Sequence, residues 1–370
     1  MTTETETSRG PRFIDADVHE RAGLEDLLPH LDPLWHRYIT DYGWQPERLL
    51  PYSQPTAGGL DRLDSKPDGV RPGGSDLGFL REQLLDEYDV AAAVLTGWLN
   101  TSSLEEGWPE FKTALMSAYN DWQVEEWIER DDRLFGSIHV NTWDVEGAVR
   151  EIDRMAAHPK MVQVMLYSGS EPFGAPRFHP IFEAAHRHEL AVAIHHSENS
   201  PTALGRHRYF IEWHTLVSQV FMSQAVSIVF NGVLDRFDGL KVILVEGGFS
   251  YVPHLMWRAD QQYRELRHEV PWLTRMPSEA MRAQMRFATQ PIEEFTAPQL
   301  TTLIEQMGSE DLVCFSTDYP HWDFDSPLRA LPAALPEGLK RKIFFDSSYD
   351  LFPRIAAQVP REAAAQGVPA

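Results

Sequence analysis

Ionisable and apolar side chains alternate in the segment FIDADVH near the start of the chain. Because side chains of a β-strand alternate between its faces, the pattern predicts an apolar face that packs on helices: Ile14, Ala16 and Val18. The other face points inward and is ionisable: Asp15, Asp17 and His19. Ionisable groups in a core are costly unless they are paired or bind a metal. Asp17 and His19, nearest the strand end, therefore indicate a metal site, with a structural Asp–His pair as the alternative.

Three further apolar runs end in residues that could bind a metal or move a proton. The run LAVAI is followed by His195 and His196, of which only one can face the axis of a barrel, and the run does not say which. Glu246 follows VILV, and Asp318 follows LVCFST. An acid in such a place can bind a metal, act as a general base, or simply cap the next helix. His321 follows Asp318 by three residues.

The elements that must position these residues are short β-like runs separated by amphipathic helical segments. The predicted strands are residues 13–19, 90–96, 133–140, 161–167, 190–195, 240–246, 285–289 and 312–317. Predicted helices include residues 114–130, 144–157, 179–188 and 252–267. This alternation is typical of a (β/α)8 TIM-like barrel or of a doubly wound sheet, and eight units favour the barrel. Active sites of such barrels lie at the C-terminal ends of the strands.

One long insertion interrupts the barrel pattern after the first strand, at about residues 44–78. Between residues 51 and 75, nine of 25 are Gly or Pro, which favours a lid or a partner-contacting arm, or an insertion that is merely tolerated. We expect residues 1–12 to be a flexible arm, residues 13–358 a single barrel domain, and residues 359–370 a tail.

The composition excludes several classes of protein. With 33 Lys+Arg against 55 Asp+Glu, the net charge of −22 disfavours nucleic acid and anionic membrane surfaces as partners. A single cysteine, Cys314, excludes an intrachain disulfide and Cys-rich metal sites. The first residues do not read as a secretory signal, and no apolar run is long enough to span a membrane. We therefore expect a cytoplasmic protein.

The chain resembles the amidohydrolase superfamily, in the branch that includes aminocarboxymuconate-semialdehyde decarboxylase and aromatic-acid decarboxylases. The resemblance is carried by the segments IDADVH, AVAIHHS, VILVEGGFSYVPHLMWRAD and FSTDYPHWD. It implies a metal-dependent (β/α)8 barrel and a homodimer or higher homo-oligomer. It also implies one divalent ion, Zn²⁺ or Mn²⁺, with four ligands: Asp17, His19, His195 and Asp318.

Two positions depart from the family pattern. Asp17 stands where many members have histidine, although several decarboxylases are similar in using a carboxylate there. Glu246 stands where the family often has a strand-6 histidine. An ionised Glu246 would give the site a negative charge and oppose an anionic substrate. If the substrate is a carboxylate, we expect Glu246 to be protonated or paired with a cation such as Arg258 or His254.

Other side chains that could bind a substrate lie after predicted strands. Trp98 and Trp322 could wall a flat pocket, or could simply fill the layer between helices and strands. Arg206 belongs to a rare basic triplet that could bind a carboxylate, or could be a solvated loop or a subunit contact. Arg258 and His196 complete the candidate set for substrate binding.

Three functions are compatible with these residues. The first is non-oxidative decarboxylation of a small aromatic or dienoic acid, in which Asp318 or Glu246 protonates the carbon that loses CO₂. The second is hydrolysis of a C–N, ester or C–C bond, in which Asp318 takes a proton from a metal-activated water and Glu246 or His321 protonates the leaving group. The third is a non-catalytic barrel that serves as a binding module.

Overall fold

In a computed structural model of the protein, residues 12–44, 59–97, 108–169, 171–197, 200–205 and 207–361 are described. They contain eight parallel strands in one sheet, paired in sequence order. The strands are β1 (Ile14–Val18), β2 (Ala92–Leu95), β3 (Leu134–His139), β4 (Met161–Tyr167), β5 (Ala191–His195), β6 (Val242–Val245), β7 (Met285–Ala288) and β8 (Val313–Cys314). All eight predicted strands are therefore present.

The sheet closes into a barrel through backbone hydrogen bonds between β1 and the chain around and after β8. The Ala16 amide donates to the carbonyl of Phe315 at 3.0 Å, and the Asp318 amide donates to the carbonyl of Asp17 at 3.1 Å. Helices connect successive strands, and the predicted (β/α)8 TIM-like barrel is confirmed. The second bond also ties the two aspartates that the sequence placed at the site to one rim of the barrel.

The α-helices of the described chain lie between the strands and after β8. They are α1 (Leu24–Leu27), α2 (Pro33–Tyr42), α3 (Leu77–Leu80), α4 (Pro109–Glu126), α5 (Val145–Met155), α6 (His179–Arg187), α7 (Phe210–Leu216), α8 (Ser218–Phe230), α9 (Val233–Arg236), α10 (Val252–Leu266), α11 (Pro277–Gln284), α12 (Ala297–Met307), α13 (Glu337–Arg341), α14 (Ser347–Leu351) and α15 (Pro353–Ala356). None of them is long and apolar enough to cross a membrane.

The predicted faces of the first strand are wrong in part, because β1 contains a bulge. Its pairing with β2 shifts between Asp15 and Val18, which inserts one residue and reverses the alternation. Ile14 and Ala16 consequently pack in the cluster that lines the barrel interior, not on the helices. Asp15 is held by Thr317 instead of pointing into the site: its carboxylate accepts from the Thr317 amide at 2.9 Å and from the hydroxyl at 2.5 Å.

The last helices of the chain close the opposite end of the barrel. The Arg354 guanidinium on α15 donates from Nη1 to the carbonyls of Ala156, His158 and Met161 at 2.9–3.1 Å. Its Nη2 donates to the carbonyl of His188 at 3.0 Å. These carbonyls lie near the beginnings of β4 and β5, so one side chain ties α15 to the end of the barrel that faces away from the site.

The described part of the insertion packs over the C-terminal ends of the strands. The Arg62 amide donates to Pro320 O at 2.9 Å, and the Trp322 amide donates to Leu60 O at 2.8 Å. On the other side, the Arg21 amide donates to Gly74 O at 2.8 Å. Residues 45–58 of the insertion lie outside the described residues, as do most of the predicted arm and tail.

Candidate metal centre

Buried histidines and carboxylates converge at the C-terminal end of the barrel. The residues form two overlapping groups. In each group, one side-chain nitrogen or oxygen atom of every residue lies within 4.8 Å of the corresponding atoms of the others. The first group is Asp17, His19, His195 and Glu246, and the second is His19, Glu246, Asp318 and His321. The structure thus brings together all four predicted metal ligands and all three residues predicted to move protons.

The end of β1 supplies Asp17 and His19, and both are oriented by the residues that follow β2. Asp17 Oδ1 accepts a hydrogen bond from the Thr96 hydroxyl at 2.6 Å. His19 Nδ1 lies 2.7 Å from the carbonyl oxygen of Gly97, and a carbonyl can only accept, so Nδ1 carries the proton. Burial lowers the pKa of His19, so the ring is neutral and its Nε2 has a lone pair. That Nε2 lies 3.0 Å from Asp318 Oδ1 and 3.4 Å from Asp17 Oδ1.

The two histidines at the end of β5 meet one carboxylate. His195 Nδ1 donates to the carbonyl of His196 at 2.6 Å. His195 Nε2 lies 2.6 Å from Glu246 Oε2, and His196 Nε2 lies 3.0 Å from the same oxygen. Burial lowers the pKa of His195, but the charge of Glu246 outweighs it and raises the pKa to about 9.

The sequence predicted that Glu246 is protonated or paired with a cation such as Arg258 or His254; it is paired, but with His195 and His196 and with neither of the two suggested residues. Burial raises the pKa of Glu246, but the charges of His196 and His195 outweigh burial and hold this pKa well below its ordinary value. Arg258 and His254 are both exposed on α10. Glu246 is therefore an anion held by two imidazoles that the sequence placed on another strand.

Asp318, after β8, joins the two halves of the cluster. Its Oδ1 lies 2.7 Å from His321 Nδ1, and burial together with the charges of Glu246 and Asp17 raises its pKa well above the ordinary value. Asp318 and Glu246 both have left-handed backbones, with φ of 59° and 62°. Such a conformation costs a non-glycine residue of order 1 kcal/mol, and it persists where the surroundings fix a functional side chain.

The donor set fits a divalent cation. Asp17 Oδ2 and Asp318 Oδ2 are buried and have no hydrogen-bond partner within the described chain, which is costly for carboxylate oxygens unless a cation neutralises them. The Nδ1–H bonds of His19 and His195 leave both Nε2 atoms facing the cluster. Two imidazole nitrogens with carboxylate oxygens suit Zn²⁺ or Mn²⁺.

The residues predicted to bind substrate are distributed unevenly. His196 lies in the cluster, with its ring centroid 4.9 Å from that of Trp213. Trp322 is 37% exposed and lies 5.4 Å from the ring of His214. Arg258 is exposed on α10. Trp98 and Arg206 lie outside the described residues.

Several residues that support the cluster were missed by sequence reasoning. Thr96 and Gly97 follow β2 at the same level as the ligands, and this position was the signal that could have found them. Tyr167 donates its hydroxyl hydrogen to Thr96 O at 2.7 Å. Arg21 pairs with Asp61 of the insertion, its Nη2 lying 2.9 Å from Oδ1, and its charge helps to lower the pKa of His321, which burial lowers most.

Solved structures with the same fold cover nearly the whole chain. An amidohydrolase from Mycobacterium avium subsp. paratuberculosis K-10 is 21% identical with a TM-score of 0.73, covering 92% of this chain and 99% of that chain. The 5-carboxyvanillate decarboxylase from Sphingomonas paucimobilis is 22% identical, with a TM-score of 0.66 and coverages of 93% and 99%. A dihydroxybenzoic acid decarboxylase from Polaromonas sp. JS666, with bound manganese and the inhibitor 2-nitroresorcinol, is 17% identical, with a TM-score of 0.65 and coverages of 93% and 97%.

No curated protein matches the chain at a significant level. By contrast, the sequence model of a family described as Amidohydrolase matches residues 14–354. That range includes every described residue of the cluster, and the match confirms the predicted resemblance and the prediction of an enzyme rather than a binding module. The chain belongs to the amidohydrolase family.

Proposed function

We propose that this protein is a metal-dependent carboxy-lyase that removes CO₂ from a small aromatic or dienoic carboxylic acid. The observation that carries the proposal is the buried cluster, in which two aspartates present unbonded Oδ2 atoms beside two oriented imidazoles. The choice of reaction is supported by the likeness in fold to decarboxylases of 5-carboxyvanillate and dihydroxybenzoate.

Asp17, His19, His195 and Asp318 would hold one divalent ion, Zn²⁺ or Mn²⁺. When bound, such an ion supplies positive charge that attracts carboxylate oxygens and withdraws electrons from the reacting bond. The protein's own contribution is orientation, since Thr96 and Gly97 fix the ligands from β1. Burial of the cluster also keeps bulk water away from the reacting carbon.

A proton must replace CO₂ on the substrate. When the C–C bond breaks, its electron pair stays on the ring or chain carbon, which then takes a proton from the enzyme. Asp318 is one candidate donor, and the other is an imidazolium beside the anionic Glu246, in place of the Glu246 carboxyl that the sequence suggested. The Asp318 pKa is raised, and Glu246 Oε2 lies 2.6 Å from His195 Nε2 and 3.0 Å from His196 Nε2.

A panel of hydroxybenzoates tests the proposal. Protein stripped with a chelator is reloaded with Mn²⁺ or Zn²⁺, and CO₂ and the decarboxylated product are measured together. We expect CO₂ release from at least one ortho-hydroxylated acid, only after reloading. Binding of less than about a tenth of an equivalent of either metal would contradict the proposal, since structural and catalytic sites of this kind bind close to one.

Hydrolysis is the second candidate, and the pair formed by Asp318 and His321 supports it. His321 Nδ1 lies 2.7 Å from Asp318 Oδ1, so the two side chains could pass a proton from an attacking water to a leaving group. Small lactones, esters and amides test this candidate. Product formation without CO₂ would favour hydrolysis over decarboxylation.

A further inference from the structure

The two residues that follow β2 contact both candidate ligands from β1. Thr96 Oγ1 donates to Asp17 Oδ1 at 2.6 Å, and Gly97 O accepts from His19 Nδ1 at 2.7 Å. The placement of Thr96 and Gly97 therefore helps to decide where Asp17 and His19 point. Tyr167 holds one side of the peptide that joins Thr96 and Gly97, through Thr96 O at 2.7 Å.

The other side of the peptide is held by Glu20, a carboxylate that the proposed reaction does not use. Glu20 is completely buried, and its Oε2 accepts from the Gly97 amide at 3.0 Å. Its Oε1 accepts from Gln123 Nε2 at 2.5 Å and lies 3.0 Å from the Tyr119 hydroxyl. Glu20 is thus held in place by α4, and through its hydrogen bond with the Gly97 amide it holds Gly97 in place as well.

The backbone at position 97 requires a glycine. Its φ is +74°, and a Cβ at this position would lie 2.5 Å from Cε1 of His139. The backbone must therefore approach His139 closely in a conformation that favours glycine. Within the described chain, the hydrogen bonds to Thr96 and Gly97 therefore help to set the direction of the carbonyl that accepts from His19 Nδ1.

We infer that Glu20 is a positioning residue of the metal centre, which acts through Gly97 on the orientation and tautomer of His19. This inference rests on the proposed metal site. Partners that orient metal-binding histidines act by fixing which nitrogen carries the proton and where the other nitrogen points. Here that partner is a backbone carbonyl, and the buried carboxylate is what holds the carbonyl in place.

The test compares Glu20→Met with Glu20→Gln in the full-length, metal-free protein titrated with Mn²⁺. The methionine has a similar length but cannot accept from the Gly97 amide, and we expect Mn²⁺ to bind about 10–100-fold more weakly, the usual cost of losing such a partner. The glutamine retains one oxygen that can accept from Gly97, so we expect it to restore most of the affinity. Glu151→Met is the matched control, because Glu151 is also buried and accepts from Asn120 at 2.7 Å but has no contact with Gly97 or His19 among those described. We expect its affinity to be unchanged.

A second readout separates positioning from general damage to the fold. In Co²⁺-loaded protein the visible absorption bands report the geometry around the metal, and we expect them to shift in Glu20→Met but not in Glu151→Met. If Glu20→Met does not fold, Glu20→Asp decides, because it keeps the charge but withdraws the carboxylate from Gly97 and should also weaken Mn²⁺ binding.

The outcomes distinguish this inference from the proposed function. Wild-type protein that binds neither Mn²⁺ nor Zn²⁺ would overturn the proposed function. Wild-type protein that binds Mn²⁺, together with folded Glu20 variants of equal affinity and an unchanged Co²⁺ spectrum, would overturn the inference alone.

Discussion

Metal binding at this site must compete with a proton on His195. In the metal-free protein the pKa of His195 is about 9, because the charge of Glu246 outweighs burial. Below that pH the ring carries a proton on Nε2, and this nitrogen lies 2.6 Å from Glu246 Oε2. A metal that binds Nε2 must displace this proton. At pH 7, two units below the pKa, the competition weakens binding about 100-fold, or ~2.7 kcal/mol.

Replacing Glu246 by glutamine removes the charge that raises this pKa. Burial then dominates and we expect the pKa of His195 to fall to its ordinary value or below, so that little competition remains at pH 7. If Glu246 is not itself a ligand, Glu246→Gln should therefore bind Mn²⁺ up to about 100-fold more tightly at pH 7. The advantage should shrink about tenfold for each unit of pH and vanish near pH 9.

Isothermal titration with Mn²⁺ in two buffers of different ionisation enthalpy measures both the affinity and the protons released. We expect Glu246→Gln to release about one proton fewer per metal at pH 7 than wild-type protein, because His195 then binds the metal without losing a proton. Asp323→Asn is the matched control, because Asp323 also pairs with a histidine, at 3.1 Å from His214, but lies outside the metal cluster. Its proton release should equal that of wild type.

Two results would refute this reasoning in different ways. Wild-type affinity that stays constant between pH 6 and pH 8.5, without proton release, would mean that His195 is not the competing group. Weaker binding by Glu246→Gln at every pH would mean that Glu246 is a ligand of the metal, as its place in both groups of convergent atoms also permits.

Three further predictions concern the site and the barrel that holds it. Asp318→Asn should abolish CO₂ release and weaken Mn²⁺ binding at least about tenfold, because it removes a charged ligand, whereas Asp323→Asn should retain measurable turnover. Arg354→Met should lower the free energy of unfolding in urea by about 3–5 kcal/mol, since four carbonyls lose a charged donor, and a loss below 1 kcal/mol would contradict the role given to α15. Burial raises the pKa of Asp325 from 3.8 to about 7, so the wild-type fold loses stability as pH rises between these values; Asp325→Asn should match wild type near pH 4 and exceed it above pH 7 by at most about 4 kcal/mol. A stability difference that does not change with pH would contradict this last prediction.

The strands could be predicted from sequence because parallel strands buried on both faces are short apolar runs. The orientation of side chains was harder to predict. In β1 the alternation rule failed at Ile14 and Ala16, because a bulge is a feature of pairing with β2 and leaves no mark in a single strand. Asp17 and His19 still point into the site, because the bulge lies between them and the two residues whose orientation was predicted wrongly, Ile14 and Ala16.

The partners of the site residues could not be predicted, because they depend on contacts between distant strands. Glu20 precedes Gln123 by 103 residues, and neither position carries a spacing that points to the other. The same holds for Glu246, for which the sequence suggested the nearby Arg258 on the following helix. Closeness along the chain was a poor guide to the partners of Glu246. The C-terminal ends of β5 and β6 are adjacent, and Glu246 therefore contacts His195 and His196.

This arrangement gives a physical account of the glutamate at a position where the family often has histidine. The site still contains imidazoles outside the four predicted ligands, and one of them, His196 after the neighbouring strand, lies 3.0 Å from Glu246. When a glutamate paired with a histidine replaces a strand-6 histidine, the site keeps an imidazole that can carry a proton. The glutamate adds a carboxylate that orients this imidazole. The glutamate is therefore compatible with acid–base chemistry at this site, provided that His196 accompanies it.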